Sequence, residues 1–250
     1  MTPEGEGDAR PRYHPAGDGA LLVEFGATIS PALNRRVRAL LAALDADPPP
    51  GLLDLVPAYA TLLIVYDPLA LAHDALLARL RALEGAAGEA APPSRRVAIP
   101  VAYGGEFGPD LADVAAHTGL SEAEVVARHS AGAYPVYFLG FAPGFPYLGG
   151  LDPALATPRL PRPRTAVPAG SVGIGGDQTG IYSLPTPGGW RIIGRTPLRL
   201  YDPAAPEPFL LRAGDVLAPR PIDAAEFVAL AGRIAAGEYE PEVTAAGAAS

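Results

Sequence analysis

The 250-residue sequence contains no cysteine, one methionine and one tryptophan. Without cysteine there is no disulfide, no thiolate nucleophile and no Cys-ligated metal, and the missing disulfides fit a reducing compartment. Long apolar runs are lacking as well. No stretch approaches the roughly 18 uninterrupted apolar residues of a membrane-spanning helix. The N-terminal MTPEGEGDARPR also has no apolar signal-peptide core, so the expected location is cytoplasmic, with no membrane partner. Basic charge is scarce: 27 acidic against 19 basic residues give a formal charge of −8, and the basic residues are scattered along the chain. That argues against nucleic acid and against an anionic membrane surface.

The usual catalytic signatures are also missing. His14, His73, His117 and His129 show neither H-x-H nor H-E-x-x-H spacing, so no metal site is expected. No pair of carboxylates stands out as an acid/base couple. Gly170-Ser171 is not a G-x-S-x-G elbow, because Ala169 stands beside it and no strand-turn-helix surrounds it. The glycines of Ser171 to Gly180 invite comparison with phosphate-cradling loops. A Walker loop, however, leads through lysine into a helix, and a dinucleotide fingerprint needs a strand before it and a helix after it. Here Ile181-Tyr182 and then Pro185 and Pro187 follow, so tight β-hairpin packing is the better reading.

What is present is enough apolar material for a core, at 49% of residues. Ala20 to Phe25 reads as a strand. Ser30-Pro31 then supplies an N-cap and a first-turn proline for a helix burying Leu33, Val37, Leu40, Leu41 and Leu44. Strands over Leu52 to Val56 and Thr61 to Tyr66 follow. Asp67-Pro68 repeats the cap-plus-proline device before a helix burying Leu69, Ala72, Leu76, Leu80 and Leu83. Glu84 to Ser94 has no large apolar residue and ends near two prolines, which marks a linker or long loop. Beyond it come a strand over Arg96 to Tyr103 and a helix from Pro109 to about His117. A second helix opens on the capping box of Ser121 and Glu124.

From Tyr134 to Pro221 no helical period lasts two turns. Short runs at Val136–Leu139, Ser171–Ile174, Trp190–Ile193, Leu198–Tyr201 and Phe209–Leu211 stand between turn residues, as in a barrel or sandwich. A last helix is capped by Asp223 and ends at Gly237. The expected fold is a small α+β domain over residues 12–94 followed by a mainly β domain over 95–240. Residues 1–11 and 241–250 are expected to be disordered tails.

One segment, Gly140 to Pro197, is dense in glycine, proline and aromatic residues with isolated polar side chains among them. Such composition shapes backbone more than it supplies burial, which suits a binding surface. Arg162, Arg164, Arg191, Arg195 and Arg199 are candidates for anion binding, since guanidinium matches carboxylate and phosphate bidentately; a solvated exterior is the alternative. Arg164 and Arg195 are best placed, each locked between rigid residues. Gln178 and Thr179 lie beside glycines where backbone can approach a ligand. Phe141, Phe145, Tyr147 and Trp190 could wall a pocket or fill a small barrel.

The run GFAPGFPYLGGLDP, then PRTAVPAGSVGIGGDQTGIY and PGGWRIIGRTP, closely resembles the family of the 5-oxoprolinase B subunit. That family is also described as allophanate hydrolase subunit 1 or Kip-type kinase inhibitor, with a carboxyltransferase-like domain. The likeness extends upstream through Gly17 to Gly26 and Val56 to Leu63 and covers nearly the whole chain apart from its tails. The turn at Gly176-Asp177 and Ser183 are small departures from the pattern. The resemblance implies a cyclophilin-like barrel for the C-terminal domain. It also implies a hetero-oligomer, formed with the A and C subunits of the enzyme, that uses ATP to open 5-oxoproline to glutamate. By motif position, Arg164, Gln178, Thr179, Trp190 and Arg195 are implied for a cleft shared between subunits. Arg195 or Arg164 would hold a carboxylate or phosphorylated intermediate, and Gln178 the lactam amide. The second function it allows is inhibition of a sensor histidine kinase; urea or allophanate processing ranks last, because the chain has no biotin-attachment or amidase segment.

Overall fold

The computed structural model describes residues 10–84 and 94–246. The chain divides into two compact units, residues 1–93 and 94–250. The expected linker lies almost wholly outside the described residues, as do positions 1–9 and 247–250 of the expected tails.

In the first unit four strands, β1 (Arg12–Pro15), β2 (Ala20–Glu24), β3 (Leu52–Pro57) and β4 (Thr61–Tyr66), pair antiparallel in the order β1-β2-β4-β3. Period-two alternation turns Leu21, Val23, Leu62, Ile64 and Tyr66 to the buried face. Two helices, α1 (Pro31–Ala46) and α2 (His73–Glu84), add Leu33, Val37, Leu40, Leu44, Leu76 and Leu80 to the same core. The Ser30 hydroxyl accepts from the Ala32 amide at 3.2 Å, which starts α1 as its sequence implies. Asp67-Pro68, in contrast, does not start α2. Asp67 closes a separate turn, its carboxylate accepting from Leu69 N and its carbonyl from Leu71 N, both at 2.9 Å. That turn throws Leu69 and Ala72 outward and puts Leu71 in the core position expected of them.

The second unit opens with β5 (Arg95–Tyr103), followed by α3 (Leu111–Thr118) and α4 (Glu122–Ala131). The capping box of Ser121 and Glu124 is formed in both directions at the start of α4. Strands β6 (Tyr134–Leu139), β7 (Pro146–Leu148), β8 (Arg164–Val167), β9 (Ser171–Gly175), β10 (Gln178–Ile181), β11 (Thr186–Gly188), β12 (Arg191–Arg195) and β13 (Val216–Ile222) come next. The helix α5 (Ala224–Ala235) and a short strand β14 (Val243–Ala245) complete the unit.

The main sheet runs β10-β9-β12-β5-β13-β6-β7. Only the β5–β13 pair is parallel, and β7 and β10 at its two ends approach each other, so the sheet nearly closes. Val97, Ile99, Val101, Val172, Ile174, Ile181, Ile193 and Leu217 fill its interior. Strand β14 pairs with the first half of β5, so residues 243–245 are ordered by backbone hydrogen bonds and not part of a disordered tail. The runs at Leu198–Tyr201 and Phe209–Leu211 are not strands. They meet through one isolated bridge, Tyr201 to Phe209.

Candidate functional site

The glycine-rich stretch forms the β9–β10 hairpin, whose two-residue loop is Gly176-Asp177 with Gly176 at φ 70°. Its glycines leave room for the indole of Trp190. A Cβ on Gly175 would stand 2.6 Å from Trp190 Cδ1 and Nε1, and one on Gly180 would stand 3.0 Å from Trp190 Cζ3 and 3.2 Å from Phe145 Cζ. Trp190 meets Phe145 edge-to-face with centroids 5.8 Å apart and Tyr182 likewise at 6.4 Å. Phe145 also contacts Phe141 and Tyr147 edge-to-face, each at 5.5 Å.

These rings wall a cavity of about 300 Å³. Phe141, Phe145, Tyr147, Gln178 and Trp190, all singled out from sequence, line it together with Tyr182 and Arg159. Phe141 is 67% exposed and is the one described non-glycine residue in the left-handed backbone region, at φ 61°. A bulky side chain held that way at a rim is strained, a feature that concentrates at functional sites. Burial pushes the Tyr182 hydroxyl above the usual phenol range, so it enters the cavity wall as a neutral donor.

Sequence reasoning missed Arg159. Its guanidinium lies 5.8 Å from the Trp190 ring centre, and among the described residues it has no carboxylate partner. The available signal was its setting, Pro158-Arg159-Leu160-Pro161, which has the same proline-flanked character that drew attention to Arg164.

The other three expected site residues do not join this cavity. Arg164 donates through Nη2 to Asp110 Oδ1 at 2.7 Å and through Nη1 to the Trp190 carbonyl at 3.5 Å. Its anion is therefore already supplied by the protein. Thr179 is buried on the opposite face of β10, where its hydroxyl donates to the Gly173 carbonyl and meets His129 Nε2 at 2.9 Å. Arg195 lines a second cavity, of about 490 Å³, with Ser183, Arg199, Tyr201 and Phe227. Among the described residues no group of three or more His, Cys, Asp or Glu side chains could hold a metal ion, and no helix is long and apolar enough to cross a membrane.

The chain resembles known proteins over most of its length. The family model described as carboxyltransferase domain, subdomain C and D, matches residues 11–211. A Bacillus subtilis (strain 168) protein named as the B subunit of 5-oxoprolinase is 45% identical over 213 residues, covering 80% of this chain and 88% of its own length. One of the same name from Escherichia coli O157:H7 is 48% identical over 207 residues, covering 82% of this chain and 94% of its own. The crystal structure of TTHA0988 matches at TM-score 0.75 and 45% identity across 82% of this chain, which spans 40% of that longer chain.

Proposed function

The chain belongs to the family of carboxyltransferase domains, subdomains C and D, and on that premise we propose that it is the B subunit of a 5-oxoprolinase. The observation that carries the reading is the identity shared with two proteins of that name over four-fifths of the chain. Neither cavity among the described residues holds a complete catalytic set, which fits a subunit whose site is finished by others. Those others are the C subunit, in direct contact, and the A subunit. The complex uses ATP to open 5-oxo-L-proline to L-glutamate in the cytoplasm, and the β unit is a cyclophilin-like barrel.

The aromatic cavity receives the substrate. A five-membered lactam is flat and partly apolar, and the edges and faces of Trp190, Phe145 and Tyr147 offer it contact area with little conformational entropy to lose. Gln178 can donate to the lactam carbonyl and accept from its N–H, a pairing that orients the scissile amide. Arg159 at the rim, instead of Arg164, then faces the substrate carboxylate. Arg164 is a positioning residue, holding the backbone of Trp190 through the Asp110 pair. The exposed ring of Phe141 is the part of this rim that the C subunit would cover.

ATP belongs to the complex. The β9–β10 glycines lead into a strand, so this loop supplies no helix N-terminus for its phosphates. The Bacillus and Escherichia relatives are named for the oxoprolinase and not for kinase inhibition, which leaves the regulatory function without support. The test is reconstitution: this chain mixed with the A and C subunits should release glutamate from 5-oxoproline and ATP. Full glutamate release when the chain is left out would overturn the assignment.

A further inference from the structure

The second cavity of the β unit is separate from the aromatic one; no residue lines both. We propose that it is an oxyanion-binding site, taking the carboxylate or phosphoryl head of a small metabolite, with Arg195 and Ser183 as its contact groups. Three observations converge on it.

The first is charge. The cavity is lined by Arg195, Arg199 and Asp202, leaving one positive charge in excess on a chain whose formal charge is −8. Arg199 and Asp202 pair with each other at 3.5 Å, so the excess resides on Arg195. The second is that Arg195 is held and yet unspent. Its Nε donates to the Ala169 carbonyl at 3.1 Å, which fixes the plane of the guanidinium. Among the described residues no carboxylate pairs with it, in contrast to Arg164 and Arg191, which have Asp110 and Asp113. A planar fork anchored at one nitrogen and lacking an anion is the arrangement that receives one bidentately.

The third is Ser183. It is 5% exposed and lines the same cavity, and among the described residues its hydroxyl oxygen has no hydrogen-bond partner. Buried hydroxyls are almost always paired, and an unpaired one beside a cationic cavity marks a donor that a ligand oxygen can use. Thr196 is also buried here, its Oγ accepting from the Leu198 amide at 3.2 Å, which keeps the wall beside Arg195 in one conformation. Pro197, Pro203, Tyr201 and Phe227 complete an apolar surround in which a charge-assisted hydrogen bond is stronger than in water.

The experiment is calorimetric titration of the full chain with inorganic phosphate and, separately, with acetate, using wild type, Arg195→Gln, Ser183→Ala and, as a control that lines neither cavity, Arg128→Gln, whose guanidinium pairs with Asp152. Wild type and Arg128→Gln should bind at least one probe. Arg195→Gln should weaken binding at least about tenfold, as loss of a charge-assisted hydrogen bond implies, and Ser183→Ala by a smaller factor. Preference for phosphate assigns a phosphoryl head and preference for acetate a carboxylate; either supports the site. Binding of neither probe to wild type, or equal affinities across wild type, Arg195→Gln and Ser183→Ala, would overturn it. Circular dichroism on each variant separates lost binding from lost folding, and Ser183→Ala, which removes one unpaired oxygen, keeps the test open should Arg195→Gln not fold. An inactive reconstituted complex with phosphate binding intact would remove the oxoprolinase reading and leave this site standing.

Discussion

The guanidinium of Arg164 and the carboxylate of Asp110, 54 residues apart, meet at 2.7 Å, while the second oxygen of Asp110 accepts the Ile192 amide at 2.7 Å. One buried carboxylate thus joins the start of α3 to β8 and β12, next to Trp190. Arg164→Met leaves that carboxylate buried without its counter-charge. Because the Arg164 side chain is 32% exposed, the expected loss is about 2 kcal/mol, below that for a fully buried pair. Asp110→Asn keeps an acceptor for the amide and should lose less. Urea unfolding of the two variants checks the order.

Gly175→Ala puts a methyl group where the Trp190 indole lies. The ring must shift, at an expected stability loss of about 1–3 kcal/mol for overpacking. Trp190 is the sole tryptophan, so its emission reports the cavity directly. A red shift with a lowered Tm is expected; an unchanged spectrum would mean that the hairpin does not set the ring position.

In the reconstituted complex, Gln178→Ala should lower kcat/KM for 5-oxoproline by about 10- to 100-fold through loss of the lactam contact, in the range of a hydrogen bond left unmade. Arg159→Ala should act mainly by raising KM. Steady-state kinetics with 5-oxoproline as the varied substrate separate the two.

His129 is fully buried between Tyr103 and Thr179, with Nδ1 2.8 Å from the Tyr103 hydroxyl and Nε2 2.9 Å from Thr179 Oγ1. Burial disfavours its charged form and pushes its pKa down to about 3. The unfolded chain takes up this proton near pH 6.5, the folded chain only near pH 3. Stability from this group is therefore complete above about pH 6.5 and falls as the pH drops toward 3, by up to about 1.4 kcal/mol per pH unit. Glu24, Glu124 and Asp152, whose pKa values are lowered by their hydrogen bonds and arginine neighbours, add the same trend at lower pH. Thermal melts between pH 7.5 and 5 should show a falling Tm, and His129→Gln should flatten that slope. Equal slopes would mean that the imidazole is not desolvated in the native state.

Much of this was legible in the residues themselves because it depends on neighbours in sequence. The Ser30 cap, the Ser121–Glu124 box, the hairpin of Ser171 to Gly180 and the family likeness all rest on local pattern. The opposite fates of Gln178 and Thr179 were also within reach. Once the segment is a strand, adjacent side chains point to opposite faces, so one lines the cavity and the other turns inward to His129. Asp67-Pro68 misled because the same two residues serve a helix start and an isolated turn equally well, and only the packing of Leu71 chooses between them.

Sequence alone determined that an arginine-bearing, aromatic and conformationally restricted surface lies between Gly140 and Pro197, and to which family it belongs. Tertiary structure decided which arginine does what. Arg164 and Arg195 have similar rigid flanks, but β8 brings Arg164 to Asp110 and β12 leaves Arg195 in a cavity where, among the described residues, no acid pairs with it. A guanidinium is available to a ligand only if the fold has not already given it an anion, and that depends on a residue far away in the chain.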